Sequence, residues 1–260
     1  MLPEKMIDMH THPDYPPGGL QPILDFMDAH AIEKVVALGS SRLDYANDNV
    51  LEMRKMAPDR IAGGPYLDPR DPNAPDELLR HYDHGCRMVK LFPNHGYYPD
   101  DPELLPFFEK VGELKCGVLS HCGWMSERGG RTDYATKYAR PGRFEILFRT
   151  FPDIPFVMAH MGGIDGFLEA IMYTLRTPNV YVDITPGQSY WVLEYAADFV
   201  RSIPPERVLL GTDGYKPNRD HLQTYIRLAE AVVKLGWEDY LGDIFYSNGA
   251  RVIKKYGLIP

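Results

Sequence analysis

Eight short apolar runs, spaced almost evenly along the chain, limit its fold more than any other feature. They are Lys5–His10, Glu33–Gly39, Arg60–Leu67, Cys86–Phe92, Cys116–His121, Pro155–His160, Asn179–Ile184 and Glu206–Asp213. Their starts lie about 25 to 30 residues apart, with one longer gap of about 38 before the sixth. Short, nearly continuous apolar runs are what parallel strands buried on both faces require. The spacing leaves room for a loop, a helix of about three turns and a return loop.

The segments between the runs carry a helical period. Leu20, Ile23, Leu24 and Met27 fall at i, i+3, i+4 and i+7. After the eighth run, Leu222, Tyr225, Ile226, Ala229, Val232 and Val233 make a similar stripe. Asn73 and Asp76 flank Pro75 where the third helix should begin, a plausible cap region. Eight strand–helix units predict an α/β protein, one (β/α)8 TIM barrel over residues 1–260, with its active site at the C-terminal ends of the strands. A doubly wound open sheet would need a Gly-rich phosphate turn after the first strand. The loop His12-Pro13-Asp14-Tyr15-Pro16-Pro17-Gly18-Gly19 has no G-x-G-x-x-G, so the barrel is favoured.

Composition narrows the partners. The net charge of −8 argues against nucleic acid and anionic membranes. No apolar stretch reaches the ~18 residues of a membrane span. The N-terminus enters the first strand almost at once, so no signal peptide is expected. Cys86, Cys116 and Cys122 form no C-x-x-C pair and read as reduced thiols of a cytoplasmic protein. The 17 tyrosines suggest a well-lined pocket or a large interface, which leaves a homo-oligomer open.

The strand ends are where chemistry gathers. They carry His10 and His12, then Arg42 shortly after the second strand, then Lys90, His121, His160, Asp183 and Asp213. Strand alternation points Asp8, His10 and His12 the same way, with Asp8 placed to orient a metal-ligating histidine. Taken singly, each has a bland reading: a histidine bonded within a core, a lysine reaching out from the rim, an aspartate capping a helix. Taken together they do not, because burying several ionisable groups at one mouth is costly unless a metal or substrate satisfies them. His95, on the loop after Lys90, is in reach of the same pocket. The segment from Cys122 to Arg140 brings Arg128, Arg131, Lys137 and Arg140 against Glu127 and Asp133, with Trp124, Tyr134 and Tyr138. It reads either as a solvated lid or as one offering guanidinium and aromatic groups to a small carboxylated substrate. Arg42, His95, Trp124, Arg131 and Arg140 are the candidate substrate contacts.

The H-x-H on the first strand, the histidines on the fifth and sixth and the aspartate on the eighth resemble the amidohydrolase superfamily. More narrowly, the chain is similar to the amidohydrolase-2 group, which contains aminocarboxymuconate-semialdehyde decarboxylase and many small metal-dependent hydrolases. The stretches "IDMHTH", "YLDPRDP", "MVKLFP", "PDIPFVMAHMGG", "VYVDIT", "LLGTDGY" and "IFYSNGARVIKKYGL" carry the likeness along the whole chain. Only about 47 residues follow Asp213, so the flanking β-sandwich of dihydroorotase-like relatives is expected to be missing.

The resemblance implies a divalent ion, zinc first and manganese second, held by His10, His12 and Asp213. In its one-metal version His121 is the fourth ligand, and His160 serves as acid, base or carbonyl polariser. In its two-metal version Lys90 is carboxylated and bridges the ions, with His121 and His160 on the second. The ion would lower the pKa of a bound water from about 15.7 toward 7, and Asp213 would carry its proton to the leaving group. The expected activity is hydrolysis of a small, anionic lactone, ester or amide. The alternative is non-oxidative decarboxylation of a small unsaturated or aromatic acid. A TatD-type deoxyribonuclease fits less well: those enzymes use Glu where Lys90 stands, and Glu-Thr-Asp where this chain has Gly-Thr-Asp.

Overall fold

A computed structural model describes residues 2–13, 15, 19–41, 43–124, 135–214 and 219–260. Among them, all eight predicted strands form: β1 (Met6–Thr11), β2 (Ile32–Leu38), β3 (Ile61–Gly64), β4 (Met88–Leu91), β5 (Gly117–Ser120), β6 (Phe156–Met158), β7 (Val180–Asp183) and β8 (Val208–Leu209). Every pairing is parallel and sequential, in ladders β1-β2-β3 and β4-β5-β6-β7-β8. Backbone bonds join the two ladders at both seams. Arg87 N–H donates to Gly63 O at 3.0 Å and Lys90 N–H to Pro65 O at 2.8 Å. At the other seam Met9 N–H reaches Leu210 O at 2.9 Å and His12 N–H reaches Gly214 O at 2.8 Å. The ring is closed, as the sequence predicts. Gly64 makes the first seam passable, since a Cβ there would lie 1.5 Å from the Met88 carbonyl oxygen.

Ten helices among the described residues surround or cap this ring: α1 (Gln21–Ala29), α2 (Ala46–Met56), α3 (Ala74–Asp83), α4 (Leu105–Glu113), α5 (Glu145–Thr150), α6 (Phe167–Arg176), α7 (Gln188–Tyr195), α8 (Ala197–Val200), α9 (Arg219–Lys234) and α10 (Asn248–Tyr256). Two local expectations change. Val233 is 46% exposed, and the buried stripe of α9 runs through Tyr225, Leu228, Ala229 and Val232 instead. Asn73 does stand at the start of α3, but its side chain bonds Asp71 and caps nothing.

The core has two parts. One cluster fills the space between strands and outer helices. The other lies inside the ring, where Ile7, Met9, Val36, Leu38, Met88 and Leu119 meet Val252 and Ile253 of α10. The closing helix therefore plugs the barrel end opposite the strand-end histidines. Asn248 fixes that plug, its Nδ2 donating to Pro205 O at 2.8 Å and Val208 O at 2.9 Å. Asn248→Ala strands both carbonyls and should cost about 1–3 kcal/mol. An unchanged urea midpoint would show that the plug does not depend on this amide.

Among the described residues, no helix is long and apolar enough to cross a membrane.

Candidate active site

Three of the apolar runs leave their strands before the polar residue, so that His121, His160 and Asp213 stand past the ends of β5, β6 and β8, while His10, Lys90 and Asp183 stay within β1, β4 and β7. β8 pairs with β7 only through Leu209, short of the predicted Asp213. The chain then passes through Gly211, where a Cβ would sit 2.6 Å from Thr185 Cγ2 and 2.8 Å from His10 Cβ. Asp213 follows with φ 52° and His160 with φ 57°, left-handed conformations that non-glycine residues seldom adopt. Ala31 and Lys115 adopt one too, in the turns before β2 and β5, so the conformation redirects the chain and by itself assigns no role.

Alternation along β1 fails in one respect. Its register with β2 shifts between Asp8 and Thr11. Asp8 orients no imidazole: its carboxylate accepts from His10 N–H (3.0 Å), Thr212 N–H (3.2 Å) and hydroxyl (2.5 Å) and the Tyr225 hydroxyl (2.7 Å). It pins β1 to the segment after β8. Burial, only partly offset by these bonds, raises its carboxyl to about 6.

The two histidines of β1 converge on Asp213. His10 Nε2 lies 3.3 Å and His12 Nε2 3.2 Å from Asp213 Oδ1, and the three ligand atoms all lie within 4.8 Å of one another. His12 Nδ1 is 2.8 Å from Leu38 O, a pure acceptor, so Nδ1 carries the proton and Nε2 keeps its lone pair. His10 Nδ1 is 2.9 Å from Asp183 Oδ2, with the same consequence. Both imidazoles thus present lone pairs to the Asp213 carboxylate, a donor set that suits a divalent cation. Burial works to raise the Asp213 carboxyl, but His12 and then the neighbouring histidines outweigh it and hold it well below the ordinary range.

Asp183, which the sequence places at a strand end without a role, organises the rest. Its Oδ1 accepts from the Thr185 hydroxyl at 2.5 Å and from His160 N–H at 2.8 Å. Thr185 spends its proton on that carboxylate, so its oxygen must accept from His160 Nδ1 at 2.8 Å. His160 Nε2 is then a lone pair, accepting from His121 Nδ1 at 3.2 Å. The chain of donors ends at His121 Nε2, which is buried with no hydrogen-bond partner. Burial first, then the neighbouring histidines and Lys90, pushes His121 well below its usual range and keeps it neutral. In this arrangement His160 sends no N–H into the mouth.

Lys90 is fully buried, with Nζ 2.8 Å from His10 Nε2 and 4.7 Å from the Phe92 ring centre. Burial and then the charge of Lys90 lower His10 to about 4, against the pull of Asp183 and Asp213.

A cavity of about 840 Å³ opens at the ends of β2 to β5. Ser41, Asn47, Tyr66, Arg70, His95 and Lys137 are among its walls. Its lining stops one ring short of the histidine cluster. Phe92 stacks on His95 on one side and on His121 on the other, both at 5.5 Å between centroids. His95 is fixed by the Tyr66 hydroxyl, 2.8 Å from Nδ1. Of the other expected substrate contacts, Arg42 and Arg131 lie outside the described residues. Trp124 is 52% exposed and held through its backbone by Gln188. Arg140 is not among the residues lining this cavity, and its guanidinium donates to Glu169 at 2.6 Å. Arg70, which sequence reasoning passed over, reaches the wall instead, although Asp68 engages it through two bonds of 2.6 and 2.9 Å. Among the described residues, Lys137 brings a second cation to the cavity wall.

The sequence profile of the amidohydrolase family matches residues 7–253, and the chain belongs to that family. It is an enzyme of the hydrolase type. No curated protein matches it significantly in sequence. Among solved structures it resembles an Acinetobacter baumannii protein described as a probable 2-pyrone-4,6-dicarboxylic acid hydrolase, with citric acid bound. The identity is 16%, the TM-score 0.67, and the match covers 97% of this chain and 99% of that one. A Pseudomonas putida protein under the same hydrolase name is 19% identical, with TM-score 0.67 and 99% of each chain covered. A Burkholderia multivorans amidohydrolase with bound zinc is 12% identical, with TM-score 0.58, covering 98% of this chain and 100% of that one. These likenesses establish the α/β barrel fold, and the described residues form no separate sandwich domain.

Proposed function

We propose that this chain is a zinc-dependent hydrolase of a small, carboxylated lactone, ester or amide, acting in the cytoplasm as a single barrel domain. The observation that carries this reading is the convergence of two histidine lone pairs on the Asp213 carboxylate beside a polar cavity. The names of the pyrone-dicarboxylate hydrolases, and the zinc and citrate bound to relatives, support it.

His10, His12 and Asp213 would hold the ion, with His121 as the further nitrogen whose lone pair has no other use. When bound, the ion supplies Lewis acidity, polarising a carbonyl and lowering the pKa of water toward about 7. Asp213, with its carboxyl kept ionised, takes a proton from the attacking water and returns it to the leaving atom. His160 acts at one remove, holding His121 in the tautomer that leaves Nε2 bare. The three buried thiols fit a reducing compartment.

Metal analysis of the purified protein, paired with a screen of carboxylated lactones, esters and amides, tests the reading. At least one divalent ion per chain and turnover without carbon dioxide release are expected. Full activity in metal-free protein would sink it, and carbon dioxide release would move the chain to the decarboxylases.

Substrate charge gives a second check. If Lys137 receives a substrate carboxylate, exchanging that carboxylate for an amide should cost about 1.5–3 kcal/mol in kcat/KM. Lys137→Gln should erase most of the difference. Equal turnover of acid and amide by the unaltered enzyme would show that the cavity does not select for charge.

A further inference from the structure

Three neighbouring helices of the outer layer carry apolar side chains on the wrong side. α6 buries Ala170, Ile171 and Thr174 against the barrel. Yet its Leu168, Met172 and Leu175, at i, i+4 and i+7, are 50%, 53% and 39% exposed. On α7 Trp191 and Tyr195 are 48% and 81% exposed, and on α8 Phe199 is 57% exposed. The stripes are continuous. α7 runs into α8 through Ala196, and Phe199 meets Phe167 at the start of α6 with ring centroids 6.4 Å apart.

Taking ~200 Å² for each of these six large side chains, the exposed part amounts to about 650 Å². That exceeds the ~300–600 Å² of the largest patch on a typical monomer. It approaches the ~800 Å² that each partner contributes to a stable interface. Charge indicates what covers it. The acidic side chains on the three helices are matched within the chain: Glu169 by Arg140 at 2.6 Å, Glu194 by Lys234 at 2.8 Å, and Asp198 by Arg201. A chain of net charge −8 therefore presents one face whose acids are already neutralised. A two-fold interface sets a surface against its own copy, so any uncompensated charge on it would meet itself. Among the described residues of the three helices, exposed Arg176 is the one charged side chain without an ion pair, too little charge to attract an oppositely charged partner or an anionic membrane. Tyr195 also gives each copy a projecting side chain. A groove of about 290 Å³ between α7 and α9, walled by Tyr190, Leu193 and Ala231 and by the mixed charges of Glu194, Arg227, Glu230 and Lys234, gives each copy a recess.

We propose that the face formed by α6, α7 and α8 is a homodimer interface, covered by a second copy of this chain across a two-fold axis. The proposal does not depend on which reaction the barrel catalyses.

Sedimentation velocity of the full chain at micromolar concentration should give twice the 29.6 kDa chain mass. Phe199→Glu and Met172→Lys each place a charge in the patch and should raise the dimer dissociation constant about thirtyfold or more. Leu79→Glu, at an exposed site on α3, away from these helices, should leave the dimer intact. A positive readout guards against variants that fail to fold. Because the three native thiols are buried, Tyr195→Cys supplies the accessible one. A short bismaleimide should join two such chains, whereas Leu79→Cys should stay unjoined. A monomeric wild type at tens of micromolar overturns the proposal, as does a dimer indifferent to both charges. So does cross-linking at position 79 in place of 195, or a monomer that binds lipid vesicles through this face.

Discussion

Asp183→Asn should strip the protein of most of its metal affinity while leaving the barrel assembled. Asp183 is fully buried and touches no substrate cavity, yet it decides where protons sit on two histidines. Burial alone would raise its carboxyl, but His10 foremost, then His160 and Thr185, bring it down to about 2. Four donors point at it: His10 Nδ1, His160 N–H, Thr185 N–H and the Thr185 hydroxyl. Asparagine has the same shape but must put an amino group where one oxygen stood. Turned toward His10, that amino group forces the imidazole proton onto Nε2 and removes the lone pair facing Asp213. Turned the other way, it confronts the donors of His160 and Thr185 and undoes the order that leaves His121 Nε2 bare. Loss of a carboxylate behind a ligating histidine costs about 10–100-fold in metal affinity. A wrong tautomer adds to that in turnover, so an activity loss on the order of 10³ is expected. Chelator competition reads the affinity, and circular dichroism shows whether the barrel remains. An Asn variant that holds zinc as tightly as the parent would refute the tautomer argument.

The barrel was legible because its signal is redundant. Eight apolar runs at barrel spacing have no other economical packing, and each became a strand. Their ends were set too late. Glu206–Asp213 reads as one run, but regular pairing stops at Leu209 because the polar terminus must turn into the mouth. Period-two reasoning placed His10 and His12 together correctly and misplaced Asp8, since alternation holds only while the register does. The convergence of His10, His12 and Asp213 follows from residue type and strand position. The role of Asp183 was not, because it depends on where hydrogen bonds run between β7 and β1. Charge counting along the 122–140 segment singled out Arg140 without the means to see Glu169, 29 residues on, neutralising it. Arg70 drew no notice because it sits in a short turn beside an acid, yet that turn follows β3 at the mouth.

Lys90→Ala should keep one metal ion per chain and bind it more tightly than the parent. Lys90 Nζ lies 2.8 Å from His10 Nε2, the lone pair that a ligand role needs. A protonated Lys90 and a cation therefore compete for one nitrogen. Removing a hydrogen bond from a charged donor is worth about 1.5–3 kcal/mol, a gain of roughly tenfold to a hundredfold in zinc affinity. The rival outcome follows from carbamate chemistry. A neutral Lys90 amine adding to carbon dioxide forms an N–C bond, releases one proton and yields an anion whose two oxygens could span ions ~3.5–4 Å apart. That arrangement would recruit His121 and His160 together to the second ion. Here the two are bonded to each other at 3.2 Å, with the His160 lone pair already spent on His121. Both cannot ligate an ion while that bond stands, which is why the single-ion result is expected. Metal stoichiometry by mass spectrometry, with and without bicarbonate, separates the cases. If Lys90→Ala instead loses a metal equivalent and activity, and short carboxylic acids restore them, the lysine bridges two ions and the His121–His160 bond must open to admit the second.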